Sequence, residues 1–131
     1  MRGRMDFKRD YLDWFSNNIK ATDLSQNMVR LTVPFLDFNN DYTEIFVQKQ
    51  GNSYMLTDYG ETISSLELSN YIPTEKPQAL SEILSYYGVR LDGNVLSIEC
   101  SKADFGSKAN ALIQCILRIG FFFKDGAADG I

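Results

Sequence analysis

Asn52–Leu68, NSYMLTDYGETISSLEL, holds the change of conformation around which the rest of the chain is arranged. Tyr54, Met55, Leu56 and Thr57 read as a short, partly buried strand. Asp58-Tyr59-Gly60-Glu61 then reads as a helix start: Asp58 can accept from the unpaired amides of the first turn, and Glu61 can reach back toward it. A strand therefore hands over directly to a capped helix, which carries Ile63 and Leu66 inward and stops near Asn70, before Pro73. Asp58 is at once the expected cap and the leading functional carboxylate.

Upstream, Gln50-Gly51-Asn52-Ser53 reads as the turn of a hairpin whose first strand covers Tyr42 to Lys49. The Asn- and Asp-rich segment from Leu36 to Asp41 is the turn before it, because these side chains bond to their own backbone. From Met28 to Phe35, Val29, Leu31, Val33 and Phe35 alternate with Arg30 and Thr32, the pattern of a half-buried strand, with Pro34 marking its end or an edge position. Thr22 to Asn27 is expected as loop. Tyr11, Leu12, Phe15 and Ile19, with Trp14 beside them, share one helical face and predict an amphipathic helix from Met5 to Ile19.

Downstream, a helix is predicted from Thr74, with the Thr74 hydroxyl as cap and Pro77 in the first turn, to a stop at Gly88. Val89–Leu91 and Val95–Cys100 form a second hairpin around Asp92-Gly93-Asn94. A last, largely buried helix runs from Ala103 or Ser107 through Ile119. The whole predicts one α+β domain over residues 1–123, an antiparallel sheet of about four to five strands covered on one side by helices from the first, middle and last segments. The triplet Phe121-Phe122-Phe123 is assigned to core packing plus a homodimer contact, and residues 124–131 to a flexible tail.

The 131 residues, 44% hydrophobic and 13% aromatic, suffice for one core. The longest apolar runs are too short to cross a membrane, and the start is charged, so a cytoplasmic protein is expected. There is no histidine, which removes Ser-His and Cys-His nucleophilic mechanisms and, with Cys100 and Cys115 far apart, a zinc site. The two cysteines read as buried reduced thiols, and no cofactor is expected. Net charge is −4, but residues 37–99 hold ten acids against Lys49, Lys76 and Arg90, a local net of −7. Such a segment repels nucleic-acid phosphates and suits a basic partner.

The expected partner surface consists of Asp37, Asp41, Glu44, Asp58, Tyr59, Glu61 and Glu67. An alternative groups Asp37, Asp41 and Asp58 with Glu44 and Lys49 as a metal-dependent nuclease centre, since phosphodiester cleavage needs carboxylates to hold magnesium. Glu44 and Lys49 do not form a compact carboxylate-x-lysine unit, however, and project to opposite faces of a regular strand. A simpler account makes Asp37 and Asp41 turn formers, Glu44 an exposed strand residue and Asp58 a helix cap. A further alternative is direct nucleic-acid binding through Arg2, Arg4, Lys8 and Arg9, a cluster that equally fits a solvated helix start.

Thr32-Val33-Pro34-Phe35-Leu36-Asp37, Asn40-Asp41-Tyr42 and Tyr54-Met55-Leu56-Thr57-Asp58-Tyr59-Gly60 occur together, with Asp13-Trp14-Phe15 in front and Leu91-Asp92-Gly93 behind. This combination resembles a domain-of-unknown-function family of small proteins carried by phages, prophages and plasmids of Gram-positive bacteria, over roughly residues 5–119. Members of that family often carry a second acidic residue after Leu-Thr-Asp, where this chain has Tyr59. The resemblance implies a context: small acidic proteins of mobile elements frequently bind and block a host defence nuclease, in the anti-CRISPR or anti-restriction manner. The expected function is therefore non-enzymatic inhibition of a host nuclease or other nucleic-acid-processing protein, with no direct nucleic-acid contact.

Overall fold

The computed structural model describes residues 6–126. Asp6 caps helix α1 (Phe7–Asn18) by accepting from the Arg9 amide at 3.2 Å. Four strands follow, β1 (Lys20–Ser25), β2 (Met28–Leu36), β3 (Tyr42–Gln50) and β4 (Ser53–Thr57), then α2 (Glu61–Leu68) and a 3₁₀ turn over Pro73–Glu75. Helix α3 (Pro77–Tyr87) leads to β5 (Arg90–Asp92) and β6 (Val95–Cys100), and α4 (Phe105–Phe121) continues into a π-helical turn, Phe122–Gly126.

The strands form one sheet in the order β1-β2-β3-β4-β6-β5, every neighbouring pair antiparallel. The expected meander is β2-β3-β4 and the expected second hairpin is β5-β6. The sheet nevertheless has six strands rather than four or five, because Lys20–Ser25, which reaches into the loop expected from Thr22 to Asn27, is an edge strand. Its residues are mostly exposed and show no alternation; pairing with β2, Lys20 opposite Thr32 through Asp23 opposite Val29, makes it a strand. Pro34 does not end β2. It sits at a register shift between Val33 and Leu36, where the Thr43 hydroxyl donates to the Phe35 carbonyl at 2.8 Å.

Core side chains come from both layers: Val33, Ile45, Leu56, Leu96 and Ile98 from the sheet, and Ile63, Leu66, Leu80, Leu112, Ile116 and Ile119 from α2, α3 and α4. Helix α4 is the centre of the cover, lying against β4 and β6 as well as α2 and α3. The first helix departs from the expected arrangement: no residue of α1 is buried, and Phe7, Tyr11, Leu12 and Trp14 are each about half exposed or more. With α4 on the middle of the sheet, the apolar stripe of α1 packs chiefly against β2, where Phe15 meets Phe35 at 5.8 Å between ring centroids.

Thr74 does not cap α3. It lies in the 3₁₀ turn, the helix begins at Pro77 without a side-chain cap, and Gly88, at φ 69°, ends it. Of the phenylalanine triplet, Phe123 is 1% exposed, Phe122 is half-buried under the Arg118 guanidinium, and Phe121 remains exposed. Lys124 belongs to the π-helical turn and donates to the Phe38 carbonyl at 3.1 Å; residues 127–131 of the expected tail lie outside the described residues.

Candidate functional site: an acidic groove at the end of the meander

The passage from β4 to α2 is fixed by a segment much further along the chain. The Thr57 hydroxyl donates to the Leu96 carbonyl at 2.8 Å, and the Asp58 amide reaches the same carbonyl at 3.3 Å. The Leu96 amide returns a bond to Asp58 Oδ1 at 3.0 Å, Gly60 donates to that oxygen at 2.8 Å, and Thr62 donates to Oδ2 at 3.0 Å. Asp58 therefore caps the helix, as expected, but it also welds the helix start to β6. Because Asp58 is 1% exposed with both oxygens engaged, its carboxylate is committed to the fold rather than offered to a partner, although the residue lines the groove described below. Nor does Glu61 reach back: the Asp58 amide is taken by Leu96, and Glu61 Oε1 accepts from the Ser65 hydroxyl at 3.3 Å.

Tyr59 and Gly60 both take left-handed backbone conformations, φ 54° and 80°, to turn the chain within two residues. The Tyr59 ring packs at a tilt against Phe46, with 4.8 Å between ring centroids, and its hydroxyl meets Met28 Sδ at 3.0 Å. Between this corner, the start of β3 and the Asp37–Asp41 turn lies a groove of about 470 Å³ whose floor includes Phe38 and Ile116. Its lining contains Asp37, Asp41, Glu44, Asp58, Tyr59 and Glu61, six of the seven residues expected to form a partner surface, and no lysine or arginine. Glu67 is elsewhere, accepting from Asn94 Nδ2 at 3.0 Å across to the turn of the second hairpin.

The carboxylates differ in what holds them. Asp37 Oδ1 accepts from the amides of Asn39 and Asp41 at 2.9 and 3.0 Å, which shapes the turn. Glu44 lies 3.7 Å from Arg30 Nε and accepts from the Thr32 hydroxyl. The Asp41 carboxylate has no partner among the described residues and stands in solvent, as does that of Glu61 apart from its Ser65 contact. Among the described residues, no three acids or thiols come close enough together to hold a metal ion, so the nuclease alternative gains no geometric support. Of the basic cluster, Lys8 and Arg9 are exposed on α1, while Arg2 and Arg4 lie outside the described residues.

Cys100 and Cys115 are free and buried. Burial raises the Cys100 thiol above its ordinary range, aided by the Asp104 charge; burial and the Asp58 charge push Cys115 up to about 12. Neither is a nucleophile at neutral pH.

Tyr42 and Thr43 also line the groove although neither was among the seven residues expected there, and the reason for their place is legible in the strand lengths. β3 is nine residues long and β4 five, and β4 pairs with β3 only from Phe46 onward. Unequal strands across a tight hairpin must leave an overhang, and Tyr42–Ile45 is that overhang.

Fold and groove define a class: a one-sheet α+β domain with helices packed on its core face and an acidic groove at the meander's end. The chain belongs to the family of the domain of unknown function DUF1828, whose model matches residues 33–119, so that α1, β1 and the first half of β2 precede the match. No curated protein and no solved structure matches it. Among the described residues no helix is long and apolar enough to cross a membrane.

Proposed function

We propose that this is a non-enzymatic protein of a phage, prophage or plasmid of Gram-positive bacteria that binds and inhibits a host defence nuclease or other nucleic-acid-processing protein in the cytoplasm. The observation that carries the reading is the gathering of Asp37, Asp41, Glu44 and Glu61 around one concavity that no basic residue lines. Proteins that handle nucleic acid present basic grooves to phosphate, and a body bearing carboxylates in a row competes for the same charge while itself repelling phosphate. Tyr42 and Tyr59, 42% and 50% exposed, supply flat apolar contact beside the charges.

The test is affinity capture from a host with active defence systems, followed by a cleavage assay on any nuclease retained. The wild-type chain is compared with Asp41→Lys/Glu61→Lys, which leaves the buried Asp58 untouched. Retention and arrest of a nuclease by the wild type, both lost in the folded variant, is the expected result. A variant that still inhibits removes the groove from the reading; captured nucleases that cleave undisturbed overturn inhibition itself.

A further inference from the structure

The overhang of β3 is an open sheet edge inside the groove. β3 has β2 on one side along its length, but on the other side a strand only from Phe46 to Gln50. Along Tyr42–Ile45 the outward backbone groups on the β4 side have no strand to bond, and no turn or side chain among the described residues reaches them. Backbone amides and carbonyls left in this way are a template for another strand, and proteins that bind peptides by extending a sheet use such edges. The edge is about 13 Å long at the rise of an extended chain. Thr43 and Ile45 are buried beneath it, and the 470 Å³ groove lies beside it, so an added strand has both a floor and a place.

Charge selects the occupant. Asp41 immediately precedes the edge, Glu44 lies within it with its carboxylate beside Arg30 and Thr32 of β2, and Glu61 stands at the start of α2; all three line the groove. Side chains of an extended segment alternate in direction, so lysines or arginines spaced along it meet these carboxylates while the backbone bonds to β3. We propose that the partner inserts an extended, basic segment that adds a strand to β3 along Tyr42–Ile45. The proposal rests on the inhibitor reading for the identity of the partner but not for the chemistry of the edge.

The probe is a short labelled peptide alternating lysine and valine, titrated into the full chain at low ionic strength, beside two controls. One has every backbone nitrogen methylated, which keeps the charges and removes the donors. The other carries glutamate in place of lysine. Strand addition predicts that methylation weakens binding about tenfold or more, that the glutamate peptide does not bind, and that amide exchange slows within Tyr42–Ile45 when the lysine peptide is present. Equal binding of the methylated and unmethylated peptides, or no slowing at that edge, overturns strand pairing and leaves only charge attraction. Binding of the glutamate peptide overturns the selection for basic segments. Failure of all three peptides alongside successful nuclease inhibition overturns the strand and spares the inhibitor; a bound strand without nuclease inhibition does the reverse.

Discussion

Asp58 and Leu96, 38 residues apart, exchange two hydrogen bonds: the Asp58 amide donates to the Leu96 carbonyl, and the Leu96 amide donates to the Asp58 carboxylate. The exchange continues the β4-β6 ladder one step beyond its last paired residues, Thr57 and Ser97, with a side-chain oxygen in place of a backbone one. It also aims the start of α2 at the groove.

Asp58→Ala leaves the amides of Gly60, Thr62 and Leu96 buried without an acceptor, and a loss of about 3 kcal/mol or more is expected. Asp58→Asn keeps one oxygen for Gly60 and Leu96 but turns an amide toward Thr62, so a smaller loss of about 1–2 kcal/mol is expected. Urea unfolding of the two variants checks the order; a neutral Asp58→Ala would show that the buried carboxylate contributes nothing net.

Gly120 faces the ring of Phe38, where an added Cβ would stand 2.7 Å from the ring edge. Phe38 is itself held by Lys124 above its ring, so it has little freedom to retreat. Gly120→Ala is expected to cost about 1–3 kcal/mol despite the better helix propensity of alanine. Adding Phe38→Leu should recover part of that loss, a non-additivity read from a double-mutant cycle.

The raised Cys115 thiol gives a pH signature. In the unfolded chain it titrates near 9 and in the folded one near 12, so the folded state holds the proton more tightly. Its contribution is whole below pH 9 and is lost as pH climbs toward 12. Cys115→Ala should therefore flatten the fall in stability across that window when both proteins are melted in urea. A thiol reagent at pH 8 should leave native Cys115 unlabelled and label it once the chain is unfolded.

Helix α1 should open well before the rest. It buries no residue and rests on Phe35 through Phe15, whereas α4 is held from several sides. Native-state hydrogen exchange is expected to show α1 amides exchanging at a small fraction of the global unfolding free energy, and the α4 amides at nearly all of it. Equal protection of the two helices would contradict this account.

How legible the molecule was depends on where each residue's partners lie. The meander was readable because Val29, Leu31 and Val33 alternate with polar residues, and the second hairpin because Asp92-Gly93-Asn94 names its own turn. β1 was not readable, since KATDLS is a strand only by virtue of β2. The cap at Asp58 was visible in its local sequence; its bonds to Leu96 were not, because nothing local distinguishes a carboxylate that accepts from its own helix from one that also accepts across a sheet. The acidic residues of the groove could be nominated from charge and turn chemistry, but Glu67 fell away because its helix turns it toward Asn94.

An open strand edge is ordinarily a hazard, since it offers every neighbouring copy of the same chain a place to stack. Here the hazard is answered by like charge: a second molecule approaching edge to edge would set its own Asp41, Glu44 and Glu61 against these. Neutralising these carboxylates is expected to cost solubility before it costs the fold. The side chains proposed to draw in a foreign strand are thus the same ones that would oppose a second copy of the chain.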